Sequence, residues 1–97
     1  MVLYDLPVMT AGQRRAAHQF RKLLTERGFL PVQKSVYVKL LRNESNAAAE
    51  IAQIKKAAPK DGTVNALTMS LCVFQGLQSL CGTAFQQALF ANDVMVI

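Results

Sequence analysis

The stretch FLPVQKSVYVKLL, residues 29–41, decides the fold of this 97-residue chain. In its second half apolar residues alternate with polar or aromatic ones, the pattern of a half-buried strand; the apolar positions are Val36, Val38 and Leu40. In its first half Pro31 cannot donate a hydrogen bond to a neighbouring strand. Residues 29–33 are therefore predicted to form a short edge strand that turns near Gln33-Lys34.

A helix is predicted on the N-terminal side of this stretch. Thr10 and Gln13 have the spacing of a capping box, which opens a helix, and Gly28 is well placed to end it in the left-handed conformation. The positions that recur at helical spacing and are expected to face the core are Ala16, Phe20, Leu23 and Leu24. The opposite side of this helix is basic and carries Arg14, His18, Arg21 and Lys22, with Arg15 close by.

The flanking segments complete one sheet. Residues 1–7 are typical of a short strand stopped by Pro7, and residues 63–69 alternate as another strand. Between them a second helix is predicted from about Asn46 to Pro59, with a buried stripe of Ala47, Ile51, Ile54 and Ala58. The order strand, helix, strand, strand, helix, strand is that of the ferredoxin-like α+β fold, in which both helices cover one face of an antiparallel sheet.

The C-terminal part adds two elements. A short extra helix is predicted from Leu71 to about Leu80, with Phe74, Leu77 and Leu80 facing inward. Residues 93–97, DVMVI, are typical of a strand that needs a sheet edge, and the sheet of a partner chain is expected to provide it. Residues 1–97 are thus one ferredoxin-like domain, with its core at about 1–82 and with 83–97 in dimer or partner contacts. No role is predicted for residues 84–92.

Composition and charge narrow the class of protein. The chain is 52% apolar and 18% charged, which excludes intrinsic disorder. Because no apolar run approaches the roughly 18 residues of a membrane span and no signal peptide is recognised, a soluble cytoplasmic domain is expected. The net charge of +5 is typical of a nucleic-acid binder, although many basic proteins of this size bind no nucleic acid, so both interpretations stay open. Cys72 and Cys81 fit neither a zinc site nor a disulfide scaffold, so they are expected near the core as small apolar residues.

Few residues in the sequence could carry chemistry. There is no glycine-rich phosphate loop, no HExxH and no paired CxxC, and His18 lacks a nucleophile to pair with, so it is interpreted as solvated or phosphate-facing. The helical glutamates and Asp61 are expected to serve solvation and helix electrostatics; the glutamates are Glu26, Glu44 and Glu50.

Asp5 differs from the other acidic residues, because it ends a strand where a side chain is rigidly held and open to a ligand. A turn or capping role is the alternative. Magnesium usually takes only one or two protein carboxylates, so Asp5 of each chain could face one ion at a two-fold axis.

A family resemblance emerges from these motifs. Five short motifs follow one another at the family's spacing: Tyr4-Asp5-Leu6-Pro7, Arg14-Arg15, Phe20-Arg21-Lys22-Leu23-Leu24, Gly28-Phe29 and Gln33-Lys34-Ser35-Val36-Tyr37. Together they resemble CRISPR-associated protein 2, the small partner of CRISPR-associated protein 1 in spacer acquisition, in the form found in type II systems. Weaker likeness continues through residues 62–67 and 74–82, so the resemblance spans about Val2 to Gly82.

The resemblance implies both a scaffold and an enzyme in the prokaryotic cytoplasm. The scaffold is a homodimer that bridges two dimers of the integrase, CRISPR-associated protein 1, and binds protospacer duplex DNA through basic helix residues. Those residues correspond to Arg14 and Arg15, with Arg21 and Lys22 beside them. Many members are also divalent-metal endonucleases acting on RNA or DNA. In that activity Asp5 is the catalytic and metal-binding residue, Tyr4 and Tyr37 are catalytic-site aromatics that orient the substrate, and one Mg²⁺ or Mn²⁺ is shared between the two Asp5 side chains. A position in the core or at an interface is the alternative for both tyrosines.

The sequence differs from the pattern of the family at Pro31 and Asn65, and one alternative function stays open. Pro31 and Asn65 stand where some members have arginine, which weakens the substrate-clamping side of the site more than the dimer. The alternative function is a stand-alone, toxin-like ribonuclease of the same fold, which would cleave messenger RNA without an integrase partner. A module that only binds single-stranded RNA is disfavoured, because the central strand lacks alternating aromatics.

Overall fold

The computed structural model describes residues 1–82 and 95–97. Its helices are α1 (Ala11–Glu26), α2 (Glu44–Ala57) and α3 (Leu71–Gln75). Its strands are β1 (Val2–Asp5), β2 (Leu30–Gln33), β3 (Val36–Val38), β4 (Leu40–Leu41), β5 (Thr63–Ala66), β6 (Met69–Ser70) and β7 (Met95–Val96). No helix among these elements is long and apolar enough to span a membrane.

The first sheet has four strands in the order β2-β3-β1-β5, and all of its pairings are antiparallel. The register places Leu3 opposite both Val36 and Asn65, while Val2 pairs with Tyr37. Val2 and Tyr37 belong to the same core cluster as Phe20 of α1 and Ile54 of α2, so both helices cover one face of the sheet. The predicted α+β class and ferredoxin-like element order are confirmed.

Local signals defined α1 and the hairpin well. Thr10 caps α1 in a capping box with Gln13, and Gly28 follows the helix with φ of 90°, both as predicted. Phe20 and Leu24 are buried. β2 is an edge strand of the sheet and ends at Gln33, with a register irregularity between Pro31 and Gln33. These features agree with the sequence because each depends on neighbours within a few residues.

The central strand differs from its prediction. It divides after Val38, and Leu40–Leu41 joins a second sheet of order β4-β7-β6. Tyr37 packs towards the helices, whereas Val38 packs with Phe74 and Val96 on the other face. The burial of Val38 agrees with the alternation, but the prediction that only one face of the strand is buried is wrong, because the helices also cover the face of Tyr37.

Three expectations about the helices and cysteines are corrected. α2 begins at Glu44, two residues before the predicted start, because the Asn43 side chain accepts from the backbone N–H of Asn46. α3 ends at Gln75, so of the three predicted inward residues only Phe74 is buried, while Leu77 and Leu80 are exposed. The cysteines are exposed as well, since neither Cys72 nor Cys81 lies on the buried side of α3 or its continuation.

The C-terminal strand pairs within its own chain. β7 lies between β4 and β6, with Val96 opposite both Leu40 and Met69, and Val96 and Ile97 are fully buried. The expected pairing of this strand with a partner chain stays a prediction. The predicted strand began at Asp93, which lies outside the described residues together with the segment 84–92.

Candidate active site at the end of the first strand

The candidate site is a pocket of about 610 Å³ between the end of β1, one side of α1 and the β2–β3 turn. β1 contributes Tyr4 and Asp5 to its lining, and Leu6 follows them. α1 contributes three polar side chains, Arg14, His18 and Arg21. The turn and its strands contribute Pro31, Gln33, Lys34, Ser35 and Tyr37. Motifs that are far apart in the sequence therefore meet at one place.

Asp5 lies where the sequence placed it, as the last residue of β1. Its side chain is on the exposed side of the strand end, and its backbone pairs with Thr63 of β5. The chain on both sides is held by packing, because Tyr4 and Leu6 contact the main core. A carboxylate at this position is open to a ligand while its backbone is fixed.

A close approach from the α2–β5 turn fixes the same strand end. Gly62 has φ of 88°, and its Cα lies so near β1 that an added Cβ would overlap the Asp5 carbonyl oxygen and lie 2.9 Å from Pro7 Cδ. Only glycine fits this contact. The sequence showed Gly62 as a turn residue, but nothing in it indicated that the turn rests against Asp5.

The two tyrosines form the aromatic wall of the pocket. The Tyr4 ring meets Phe20 edge to face at 5.2 Å between centroids and stacks on Tyr37 at 6.1 Å with 19° between the planes. Burial raises the pKa of Tyr4, and the neighbouring Tyr37 adds to the rise. Tyr37 is only 7% exposed, so most of its ring belongs to the core. Both rings are rigid, and Tyr4 is the more accessible one.

Ser35 is a feature of the pocket that sequence reasoning missed. Its φ of 62° makes it the one non-glycine residue with positive φ among residues 1–82 and 95–97. Its carbonyl oxygen accepts a hydrogen bond of 3.1 Å from the Tyr4 backbone N–H, which ties the turn to β1. Strained backbone of this kind persists where surrounding contacts determine it, and it concentrates at functional sites.

The basic residues of α1 separate into two groups. Arg14, His18 and Arg21 are four and three residues apart, so they share one side of the helix and line the pocket. Arg15 and Lys22 are exposed outside it, and Lys22 lies 3.9 Å from Glu26. The predicted set of four basic residues is thus split between the pocket and the outer surface.

Each basic residue in the pocket has a distinct environment. The Arg14 guanidinium donates to the carbonyl oxygens of Val8 and Met9, at 3.2 and 3.3 Å, and so anchors the β1–α1 loop. Arg21 Nη2 lies 3.0 Å from His18 Nδ1. Lys34 also lines the pocket, as does Pro31, the position at which the resemblance implies an arginine in some members. Asn65, the other departure, is exposed on β5.

The metal-binding capacity of one chain is limited. Among the described residues no group of three or more His, Cys, Asp or Glu side chains could hold an ion. Asp5 is the single carboxylate that lines the pocket. This donor set suits a hard cation such as Mg²⁺ only when water, a substrate oxygen or a second carboxylate completes its coordination.

Comparisons with known proteins agree with the motifs. A family model described as CRISPR associated protein Cas2 matches residues 1–90. A protein from Lacticaseibacillus rhamnosus, named CRISPR-associated endoribonuclease Cas2, is 35% identical over 97 residues, covering 100% of this chain and 96% of the relative. A protein of the same name from Treponema denticola is 33% identical over 97 residues, with coverages of 100% and 96%. Another from Streptococcus mutans serotype c is 43% identical over 70 residues, covering 72% of this chain and 65% of the relative.

Proposed function

This chain belongs to the CRISPR-associated protein Cas2 family, and from that premise we propose that it is a divalent-metal-dependent endoribonuclease with its reaction centre at Asp5. The observation that carries the proposal is the pocket itself. It is lined both by one exposed carboxylate at the end of a strand, Asp5, and by the cationic side chains of Arg14, Arg21 and Lys34. A phosphodiester needs both kinds of group, a metal ligand and a positive clamp.

The residues of the chain divide the work between them. Asp5 would hold a Mg²⁺ or Mn²⁺ ion, and such an ion polarises a phosphodiester and lowers the pKa of its bound water when present. The basic residues of the pocket neutralise phosphates of the bound strand and orient it. Tyr4, packed between Phe20 and Tyr37, gives the substrate a rigid wall, and Tyr37 supports that wall from the core.

A homodimer would complete the metal site. One chain supplies a single carboxylate to the pocket, whereas Mg²⁺ commonly takes one or two from protein. If a two-fold axis passes near the end of β1, the Asp5 side chains of both copies can share one ion. We propose this sharing of one ion as the reason why the site requires the dimer that the resemblance implies.

The first experiment compares cleavage by the wild type and by Asp5→Asn. Labelled single-stranded RNA and duplex DNA are incubated with Mg²⁺, Mn²⁺ or EDTA. We expect metal-dependent cleavage of RNA by the wild type and a loss of at least about 100-fold in Asp5→Asn, the scale seen when one charge-stabilising group leaves an active site. Asp61→Asn is the matched control, because Asp61 is an exposed aspartate outside this pocket.

Two results would contradict the nuclease. One is a wild type that cuts neither substrate at neutral or alkaline pH while it still binds nucleic acid. The other is an Asp5→Asn variant that cuts as fast as the wild type. The first result would leave a binding protein with a structural Asp5, and the second would move the reaction centre elsewhere in the chain.

A second function is supported by the basic residues outside the pocket. We propose that Arg15 and Lys22, which are exposed on α1, contact the phosphates of a protospacer duplex while a homodimer bridges integrase dimers in spacer acquisition. Contacts to phosphates alone would bind duplex without reading its sequence. A stand-alone, toxin-like ribonuclease would not need Arg15 and Lys22. Duplex binding that depends on these two residues would therefore favour the scaffold over the toxin-like ribonuclease.

Duplex binding tests this surface. Replacing Arg15 and Lys22 together with alanine is expected to weaken duplex binding and to reduce the slope of log K against log salt by about 0.9 for each lost phosphate contact. Fluorescence anisotropy at several salt concentrations measures both quantities. Lys55→Ala with Lys56→Ala, at the end of α2, removes the same charge elsewhere and serves as the control. An equal change in both double variants would mean that net charge alone binds the duplex.

A further inference from the structure

We infer that, within the pocket that also holds Asp5, α1 and the β2–β3 turn form a second phosphate subsite, in which Arg21, oriented by His18, and Lys34 hold a phosphate of a nucleotide next to the one at Asp5. This inference deepens the proposed nuclease, because it assigns a second point at which the substrate chain is held. It does not require a metal ion. The ligand class is a nucleoside phosphate or a phosphate within an unpaired strand.

The hydrogen bond between Arg21 and His18 is the first observation that supports the subsite. A guanidinium has hydrogen-bond donors and no acceptor, so at 3.0 Å the Nδ1 atom of His18 must accept from Arg21. In a neutral imidazole the remaining proton then lies on Nε2, which is a donor. The bond therefore orients the guanidinium and leaves donors of both residues for an anion. His18 is a positioning residue in this arrangement.

The second supporting observation is the excess of positive charge among the side chains that line the pocket. Glu26 pairs with Lys22, and Glu50 pairs with Arg27 and Lys39. Among residues 1–82 and 95–97, no ion pair involves Arg21 or Lys34. Asp5 is the one acidic residue that lines the pocket, against three cationic side chains. The cationic part of the pocket thus attracts anions, while the Asp5 carboxylate repels them in the absence of metal.

The volume of the pocket and the fixed conformation of the β2–β3 turn also support the subsite. A volume of about 610 Å³ falls within the range of roughly 300–1,000 Å³ for small-molecule sites. The whole pocket, which includes Asp5, is therefore large enough for one nucleotide of an unpaired strand. Lys34 precedes the left-handed Ser35, whose carbonyl is bonded to Tyr4, so the turn that presents Lys34 is fixed. Arg21 adds the planar fork that matches phosphate oxygens.

The test is a titration of the full chain with adenosine 5′-monophosphate, and separately with inorganic phosphate, in EDTA. Calorimetry gives the dissociation constant. Arg21→Ala is expected to weaken nucleotide binding by about tenfold or more, because a charge-assisted hydrogen bond is lost. Lys34→Ala should weaken it by a similar factor and His18→Ala by less. Lys55→Ala is the matched control, since it removes one exposed cationic side chain of α2 that lies outside the pocket.

The ¹⁵N NMR signals of the His18 imidazole distinguish the loss of the hydrogen bond between His18 and Arg21 from a loss of folding. His18 is the one histidine in the sequence, so its imidazole ¹⁵N signals need no assignment to a residue, and only Nδ1 and Nε2 have to be distinguished. In the wild type the Nδ1 signal is expected to be that of an unprotonated nitrogen that accepts a bond. Arg21→Ala should change this signal even if the variant remains as stable as the wild type. Nucleotide should shift the Nε2 signal in the wild type and not in Arg21→Ala.

The outcomes distinguish this inference from the nuclease itself. Asp5→Asn should bind nucleotide at least as well as the wild type, although it should not cleave RNA. Nucleotide binding that depends on Arg21 in a wild type without cleavage would support the subsite and reject the nuclease. The inference is overturned if nucleotide does not bind in EDTA, or if Lys55→Ala weakens binding as much as Arg21→Ala. Equal affinity for inorganic phosphate would mean that the subsite recognises only the phosphate group.

Discussion

Replacing Gly62 with alanine is expected to abolish RNA cleavage and to lower the free energy of unfolding by between about 2 and 5 kcal/mol. Gly62 has φ of 88°, a conformation that strains any residue with a side chain. The new methyl group would also overlap the Asp5 carbonyl oxygen and approach Leu6 Cα to 3.1 Å. The end of β1 must therefore move, and the proposed metal ligand moves with it.

The variant Gly28→Ala separates the effect of backbone strain from the effect of the contact with the end of β1. Gly28 has φ of 90°, so the backbone strain is the same, but its added Cβ would meet only the Lys39 side chain at 3.7 Å. Chemical denaturation of both variants should show a smaller loss of stability for Gly28→Ala. Cleavage assays at a temperature where both are folded should show that only Gly62→Ala has lost activity. If both variants lose stability equally and both still cleave, Gly62 does not position Asp5.

Glu50→Gln is expected to give the second large effect, a loss of about 2–3 kcal/mol in the free energy of unfolding. Glu50 is 8% exposed on α2 and binds Arg27 Nε at 2.6 Å and Lys39 Nζ at 3.3 Å. It thus ties the end of α1 to the segment between the two sheets. Breaking a fully buried pair costs about 3–5 kcal/mol. The expected loss is smaller because the cations are 33% and 24% exposed and can regain water.

The same carboxylate predicts how stability varies with pH. The hydrogen bond from Arg27 lowers the pKa of Glu50 below its ordinary value, and Lys39 adds to the effect against the opposing cost of burial. A lowered folded-state pKa means that the stabilisation is present above the pKa of the unfolded state and is lost as the pH falls through the folded pKa. The stability difference between wild type and Glu50→Gln should therefore shrink as the solution becomes acidic.

Glu26→Gln is the matched control for this prediction. Glu26 pairs with Lys22 at 3.9 Å on the surface of α1, with both side chains about two-thirds exposed, at 63% and 66%. Such a pair contributes roughly 0.3–0.5 kcal/mol. Urea denaturation of the two variants at several pH values measures both effects. A Glu50→Gln variant that is as stable as Glu26→Gln at neutral pH would show that the buried pair adds nothing.

Residues close together in the sequence determined much of this protein by themselves. The capping box at Thr10, the left-handed Gly28, the edge strand ending at Gln33 and the position of Asp5 at a strand end all followed from local patterns. Each depends on hydrogen bonding and side-chain periodicity within a few residues, which the sequence displays directly. The order of these elements then favoured the ferredoxin-like fold.

Only the tertiary structure decided which of these residues meet. Glu50 has the sequence context of a solvated helical residue, yet it is buried because Arg27 and Lys39 approach it from other elements. The basic residues of α1 all lie within positions 14–22, but only one side of the helix faces β1 and the β2–β3 turn. The local pattern repeats with the period of the helix or strand, and it carries no information on which distant segment covers each face. Burial, charge pairing and the pocket at Asp5 depend on that covering, so they appear only when the chain is folded.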